Sequence, residues 1–530
     1  MPGVGPGGQL FKAGAPEGIV ELRYALSRPA LRRGGLHGAD KALPVAGAKE
    51  DVRAKRGGFG GVYLAPAAAE RRERIGVFAL ETADGLARLA PALRRNGAGV
   101  DDHGVRALPF GARRVAVALE QLLHRLGFVL VDLAAESGYN VFHRKTLLKG
   151  CMDMEIYLDN AATTRVCPGA ADAAYKVMTE GYGNPGSTHR LGREARAVLD
   201  DSRKKLAAAL GCSAKEVYFT SGGTESDNWA ILEGAYLQRR HGRHIISSAV
   251  EHDAVRKPLE RLAREGYEVT LLSPDSTGAI SVDAVRAALR EDTALVTLMM
   301  VNNETGAVTD IAGIARTLRA AKSKALLHTD AVQGFMKEPF SAKTLGADMI
   351  SVSGHKVHAP KGIGALYIRQ GLKLPAHILG GGQEEGMRSG TEPMPQIAAF
   401  GEAVRIAKAE MPEANKRMEA LRAQCVQTLT DTVPGIVFLG GGSAHILSLS
   451  LPGYRSEVLM NYLEAKGIYV SKSSACKRGK RSHVLEAIGA PDKVIDGALR
   501  VSFSRYTTAE ECAYFCEALA AARKELYPSL

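Results

Sequence analysis

Cysteine is scarce in this sequence: seven residues in 530, at positions 151, 167, 212, 425, 476, 512 and 516, with no CxxC pair. An odd, scattered set excludes a disulfide framework and gives zinc no clustered ligands, so a reducing compartment and no metal site are expected. Long apolar runs are also missing. The best stretch, 115–135, is broken by Glu120, His124 and Arg125, so no membrane-spanning helix is expected. The opening MPGVGPGGQLFKAG lacks the apolar core of a secretion signal, which makes a cytoplasmic protein the expectation. Aromatic residues are few, at 6%. With 45% hydrophobic residues, 24% charged residues and 58 glycines, the composition is that of an α/β enzyme and not of a disordered or fibrous chain.

Positive charge is unevenly spread. Residues 1–150 hold 23 Lys and Arg against 14 Asp and Glu, whereas the other 380 hold 46 against 43. The net charge of +12 therefore belongs mostly to the first 150 residues, which also carry 23 of the 58 glycines and no Met after Met1. Helical spacing occurs there, as in Val115, Ala118, Leu119, Leu122 and Leu123, but no catalytic constellation does. Residues 1–151 are expected to be a basic Gly/Arg/Ala-rich extension, poorly ordered or lying upstream of a start at Met152 or Met154. A basic arm for nucleic acid is the lesser alternative.

From residue 152 onward strands and helices alternate. REARAVLDDSRKKLAAALG (193–211) places Ala195, Val198, Leu199, Leu206, Ala209 and Leu210 on one helical face and ends at Gly211, a favourable C′ residue. ALVTLMMV (294–301), ALLHTD (325–330) and DMISVS (348–353) are short apolar runs of the kind buried parallel strands show. Thr508 and Glu511 stand at capping-box spacing before a helix whose Cys512, Phe515, Cys516 and Leu519 share one face, as plain core residues.

Polar residues cluster just after these strands, where open α/β sheets hold ligands. TSGGTESDN (220–228) puts Gly223 and Thr224 at the head of a helix, whose free N–H groups and dipole suit a phosphate. SVSGHKVHAPKG (351–362) puts Ser353, His355 and Lys356 at a strand end. A poorly solvated lysine there can lose its proton and form a Schiff base, although by itself it also reads as a surface loop lysine. Asp330 closes the preceding strand and Gln333 follows it. An Asp on a pyridine nitrogen keeps the ring protonated and electron-poor, and Gln333 is spaced to reach a ring hydroxyl. Together these residues point to pyridoxal phosphate.

The sequence resembles the cysteine desulfurases, among the fold-type-I pyridoxal-phosphate enzymes, in order over 154–520. The resemblance is carried by YLDNAATT (157–164), YGNPGSTHRLGREAR (182–196), TSGGTES (220–226), SAVEHDAV (248–255), VNNETG (301–306), HTDAVQ (328–333), SVSGHKVHAPKGIGALY (351–367), GGGQEEGMRSGT (380–391), SSAC (473–476) and ALRVSFSRYTT (498–508). It implies an α/β fold: a large domain (165–410) with a mixed, mostly parallel sheet between helices, and a smaller α+β domain (152–164 and 411–530). It also implies a role for each matching residue. Lys356 is the Schiff-base lysine that moves the Cα proton, and His252 stacks on the cofactor ring. Asp330 and Gln333 hold the ring nitrogen and oxygen. Gly223, Thr224, Ser353 and His355 bind phosphate, and Thr391 does so from a neighbouring subunit of a homodimer. Asn303 and Arg500 face the substrate, Arg500 as a fork for its carboxylate.

Cys476 matches the nucleophile that forms a persulfide. Lys472, Lys477, Arg478, Lys480 and Arg481 surround it in sequence, and positive charge favours a thiolate. The segment from Cys476 to His483 is shorter and more basic than in the housekeeping iron–sulfur branch. Thr305 stands where Ile is commoner, and residues 1–151 have no counterpart in the family. The implied activity is removal of sulfur from L-cysteine, giving L-alanine and a Cys476 persulfide for an acceptor protein in iron–sulfur assembly or thiolation. A selenocysteine lyase or cysteine lyase is the alternative; an aminotransferase or a non-catalytic RNA-binding scaffold is less favoured. Neither a membrane nor nucleic acid is expected as a partner.

Overall fold

The computed structural model describes residues 155–472 and 481–528. The 1–151 extension, Met152 and Met154 lie outside the described residues, as does the 473–480 segment with Cys476.

A short strand β1 (Ile156–Tyr157) leads into seven strands that form one sheet: β2 (Val217–Thr220), β3 (His244–Ser248), β4 (Glu268–Leu272), β5 (Thr293–Met299), β6 (Leu326–Asp330), β7 (Met349–Ser353) and β8 (Gly364–Ile368). Their spatial order is β2-β8-β7-β6-β5-β3-β4. Strands β4, β3, β5, β6 and β7 pair in parallel, while β8 pairs antiparallel with both β7 and β2, so β8 alone runs against the rest. The sheet is therefore mixed and mostly parallel. Successive residues of a strand face opposite sides. Ile246, Val296, Leu327 and Ile350 accordingly enter one core, while Ile245, Leu295, Leu326 and Met349 enter another on the opposite face. Burial on both faces explains why these strands read as unbroken apolar runs.

The expected helix is Arg190–Leu210, and Gly211 ends it at φ 67°. A Cβ on Gly211 would also lie 2.6 Å from that of Ser341, so conformation and space both call for glycine. Four further strands, β9 (Val437–Leu439), β10 (Ile446–Ser450), β12 (Ser471–Lys472) and β13 (Ala498–Ser502), form an antiparallel sheet, and β11 (Ile468–Tyr469) pairs with β1. Over this second sheet Ile156 and Leu158 pack with Met418, Leu421, Leu449, Val501 and the Cys512–Phe515–Cys516–Leu519 face. Thr508 and Glu511 make the capping box of the last helix, Ala509–Glu525.

One helix, Met394–Thr432, runs 39 residues without a break across the expected edge at residue 410, with Pro412 inside it. Its first half supplies Ile397, Phe400 and Val404 to the core of the large sheet, and its second half supplies Met418, Cys425 and Leu429 to the other. Among the described residues no helix is long and apolar enough to cross a membrane.

Candidate active site

The ends of β2, β3, β5, β6 and β7 lie along one edge of the sheet, and each is followed by residues singled out from the sequence. A cavity of about 320 Å³ opens there, lined by Gly223, Thr224, His252, Asn303, Asp330, Gln333, Ser353, His355, Lys356 and Arg500. The fold thus gathers ten residues spread over 278 positions of chain at the carboxyl ends of the strands. Thr391 is exposed and does not line this chain's cavity. Cys476 lies outside the described residues.

The Gly223–Gln238 helix starts at Gly222 without a side-chain cap, so its first turn keeps backbone donors for a ligand. A Cβ on Gly223 would stand 2.6 Å from Val332 Cγ2 and 3.6 Å from Ser353 Cβ, which shows how closely this turn meets the ends of β6 and β7. His252 caps the Asp253–Arg264 helix: its Nδ1 accepts from the Ala254 N–H at 3.1 Å, which leaves Nε2 to carry the proton of a neutral ring. Lys356 Nζ donates to the carbonyls of Ala161 and Ala162, at 2.5 and 2.8 Å. The turn bearing those carbonyls is tied to β13 by the Asn160 side-chain amide, 2.9 Å from the Ser502 carbonyl, and by the Ala161 N–H, 2.8 Å from Ser502 Oγ. Gln333 Nε2 donates to the Ala161 carbonyl at 2.9 Å, and its Oε1 lies 3.3 Å from His445 Nε2. Both ends of the amide are thereby oriented.

Burial dominates the electrostatics. It raises the pKa of Asp330, against which the Val332 N–H (2.9 Å) and the charge of Lys356 act, with protonation of His252 adding to them. Burial also pushes Asp227 well above the usual carboxylate range, and the charge of Asp330 pushes it further. Among the described residues the Lys356 cation faces Asp330 and none acts on Asp227, so the proton of the pair rests on Asp227 and the negative charge on Asp330. Glu251, fully buried, is pushed up to about 8, against hydrogen bonds from Ser248 Oγ (2.6 Å) and the Met299 N–H (3.1 Å). His355 is pushed down to about 4 by burial and then by Lys356, so it enters the site as a neutral ring.

Arg500 is 2% exposed. Its Nη2 binds Asp159 Oδ1 at 2.8 Å, its Nη1 binds the Asn303 carbonyl at 2.9 Å, and its buried Nε has no hydrogen-bond partner among the described residues.

Sequence reasoning missed four residues here. Asp227 and Glu251 are cavity-lining carboxylates whose burial no pattern announced, although Asp227 sits one helical turn beyond Thr224. Asp159, in the YLDNAATT motif, holds Arg500. His483 lines the cavity with its Nε2 donating to the Glu251 carbonyl at 3.2 Å, and it directly follows Ser482, whose Oγ binds buried Glu304 at 2.5 Å. The chain leaving the cysteine segment is thus anchored in the cavity wall. Two of the five basic residues around Cys476 are already paired: Lys472 with Glu457 (3.1 Å), and Arg481 with Asp492 and Asp496 (2.9 and 2.8 Å).

With this architecture and site, the chain belongs to the class-V aminotransferase family, which it matches over residues 156–515. Its branch within that family is the cysteine desulfurases. It is 41% identical to cysteine desulfurase IscS of Methanosarcina thermophila over 361 residues, 67% of this chain and 89% of that one. Against cysteine desulfurase IscS of Serratia proteamaculans the identity is 43% over 374 residues, 68% of this chain and 91% of that one. Among solved structures, a NifS-like protein is 37% identical with a TM-score of 0.67, covering 70% of this chain and all of that one. DndA from Streptomyces lividans is 40% identical with a TM-score of 0.56, covering 66% and 99%.

Proposed function

We infer that the protein is a cytoplasmic, homodimeric cysteine desulfurase that takes sulfur from L-cysteine onto Cys476 and releases L-alanine. The observation that carries this is the convergence of Lys356, Asp330, His252 and Arg500 on one cavity, in a chain more than 40% identical to cysteine desulfurases.

Enzymes of this family depend on pyridoxal phosphate, and the residues present fit it. The cavity volume suits a small cofactor. The uncapped helix start at Gly223 and Thr224, with Ser353 and His355 beside it, offers donors for a phosphate, and Thr391 of a second subunit would add another. Asp330 carries the charge a pyridinium needs, and Gln333 has a second amide N–H for the ring oxygen. When bound, pyridoxal phosphate supplies the electron sink that loosens the bonds around the cysteine Cα.

The protein's own groups do the rest. Arg500, held by Asp159 and the Asn303 carbonyl, receives the substrate carboxylate. Lys356, poised on the Ala161 and Ala162 carbonyls, takes the Cα proton. The Cys476 thiolate forms an S–S bond with the substrate sulfur as the Cβ–S bond breaks. The electron pair of that bond stays with Cβ, which takes up a proton, so alanine leaves and Cys476 keeps the sulfur as a persulfide. Lys477, Arg478 and Lys480 remain to attract an acidic acceptor in iron–sulfur assembly or thiolation.

The experiment is L-cysteine turnover with alanine quantified and Cys476 weighed by mass spectrometry, beside Cys476→Ser. Alanine from the wild type alone, with one added sulfur on Cys476, is expected. Alanine release that survives Cys476→Ser would replace the persulfide route with a lyase.

A further inference from the structure

Gln333 is the cavity end of a buried chain of polar groups. Its Nε2 faces the Ala161 carbonyl at 2.9 Å and its Oε1 lies 3.3 Å from His445 Nε2. His445 Nδ1 lies 2.6 Å from Ser443 Oγ, which in turn lies 2.6 Å from Glu338 Oε1. Ser443 and His445 are each 1% exposed, and Glu338 is partly buried behind them. None of these three lines the cavity.

One fixed end assigns the hydrogens along this chain. A carbonyl oxygen only accepts, so the Ala161 carbonyl turns the NH₂ of Gln333 toward itself and leaves the amide oxygen toward His445. That oxygen also only accepts, so His445 Nε2 carries a hydrogen. Burial, and then the charges of Lys337 and Arg500, hold His445 well below its ordinary pKa, so the ring is neutral and its Nδ1 is bare. Nδ1 therefore accepts the Ser443 hydroxyl hydrogen, which leaves Ser443 Oγ with lone pairs alone for Glu338. Two oxygens 2.6 Å apart share a hydrogen, and Glu338 has to supply it. In the opposite sense, Ser443 would donate to a Glu338 carboxylate, and two acceptors would face each other at Gln333.

On the pyridoxal-phosphate reading given above, we propose that Glu338, Ser443 and His445 form a relay that positions the Gln333 amide against the cofactor's ring oxygen, with Glu338 as its neutral, proton-donating end. The three are positioning residues, since they act through Gln333. Burial raises the Glu338 pKa against the Ser443 contact and the Lys337 charge, and Glu419 of the Met394–Thr432 helix adds to the rise. Once pH climbs past that pKa, Glu338 gives up its proton, the relay loses its direction, and Gln333 loses the donor at its oxygen.

The tests use the full-length holoenzyme. Infrared difference spectra of the wild type against Glu338→Gln near neutral pH should show a carboxylic-acid C=O band that the wild type alone has. Its absence would put a carboxylate at position 338 and overturn the relay. The second readout is the pH at which the visible band of the bound cofactor shifts. The ring oxygen is anionic and a donor to it favours the deprotonated cofactor, so a displaced Gln333 raises this midpoint. His445→Leu should raise it by roughly half a pH unit to one unit, the worth of one neutral hydrogen bond. His445→Gln, which keeps an N–H, should restore most of the shift. A midpoint unmoved in folded His445→Leu would also overturn the proposal. A wild type without any visible cofactor band would sink the proposed function, and the infrared result would still decide the relay.

Discussion

Arg500 Nη2 lies 2.8 Å from Asp159 Oδ1, an ion pair that joins β13 to the turn after β1 and holds the guanidinium at the cavity wall. Without its partner, the fork keeps its charge but loses its orientation. Asp159→Ala should raise KM for L-cysteine roughly tenfold, as expected for one charge-assisted hydrogen bond, with a smaller change in kcat. Steady-state alanine release checks this. A fall in kcat at constant KM would place Asp159 outside substrate binding.

The second expectation concerns the two buried aspartates. Since Asp330 carries the charge and Asp227 the proton, Asp330→Asn should lower turnover by a factor of about 10² or more, as loss of a preorganised charge does. Asp227→Asn, which keeps an uncharged side chain in place, should cost much less. Cofactor content measured beside alanine release separates weakened binding from weakened chemistry. Equal losses in the two variants would show that the charge is not confined to Asp330.

Glu251 gives a pH dependence of stability. Its carboxyl, ordinarily near 4.5, stays protonated in the folded protein up to about 8 because burial disfavours the ion. Its stabilising contribution is therefore complete below pH 4.5 and is lost progressively as pH rises to about 8. Glu251→Gln cannot ionise and should lack that slope. Melting curves of both proteins between pH 5 and pH 8.5 should diverge by a few degrees, with the variant gaining relative to the wild type as pH rises. Parallel curves would mean that Glu251 is ionised throughout.

Away from the site, Glu384 accepts two bonds from Arg203, both at 2.7 Å, and one from the Phe219 N–H at 2.9 Å, with its side chain 3% exposed. Removing one partner of such a pair strands the other charge. Glu384→Ala should destabilise the protein by about 3–5 kcal/mol, read from denaturant unfolding.

The sequence displayed this fold wherever a pattern is local. Apolar runs marked β5, β6 and β7, Gly211 marked a helix end, and Thr508 with Glu511 marked a helix start. The reversed direction of β8 was not legible, because a strand buried on both faces reads alike in either direction. Nor was the continuity of the Met394–Thr432 helix, since the expected domain edge at residue 410 falls inside it, and a proline such as Pro412 ordinarily interrupts a helix. At the site, motifs brought forward the residues that face a cofactor. They passed over Asp227 and Glu251, because a carboxylate in a sequence looks solvated until the fold buries it. His483 was hidden in the same way, as a histidine after a run of basic residues.

That same long helix also bears on how the molecule comes apart. It spans about 58 Å at the usual rise per residue and is built into both apolar cores. Neither core can loosen without stripping one half of a helix whose other half is still packed. The amide protons at its centre should accordingly exchange with solvent only when the whole described fold opens, and heat should melt both sheets in a single cooperative step.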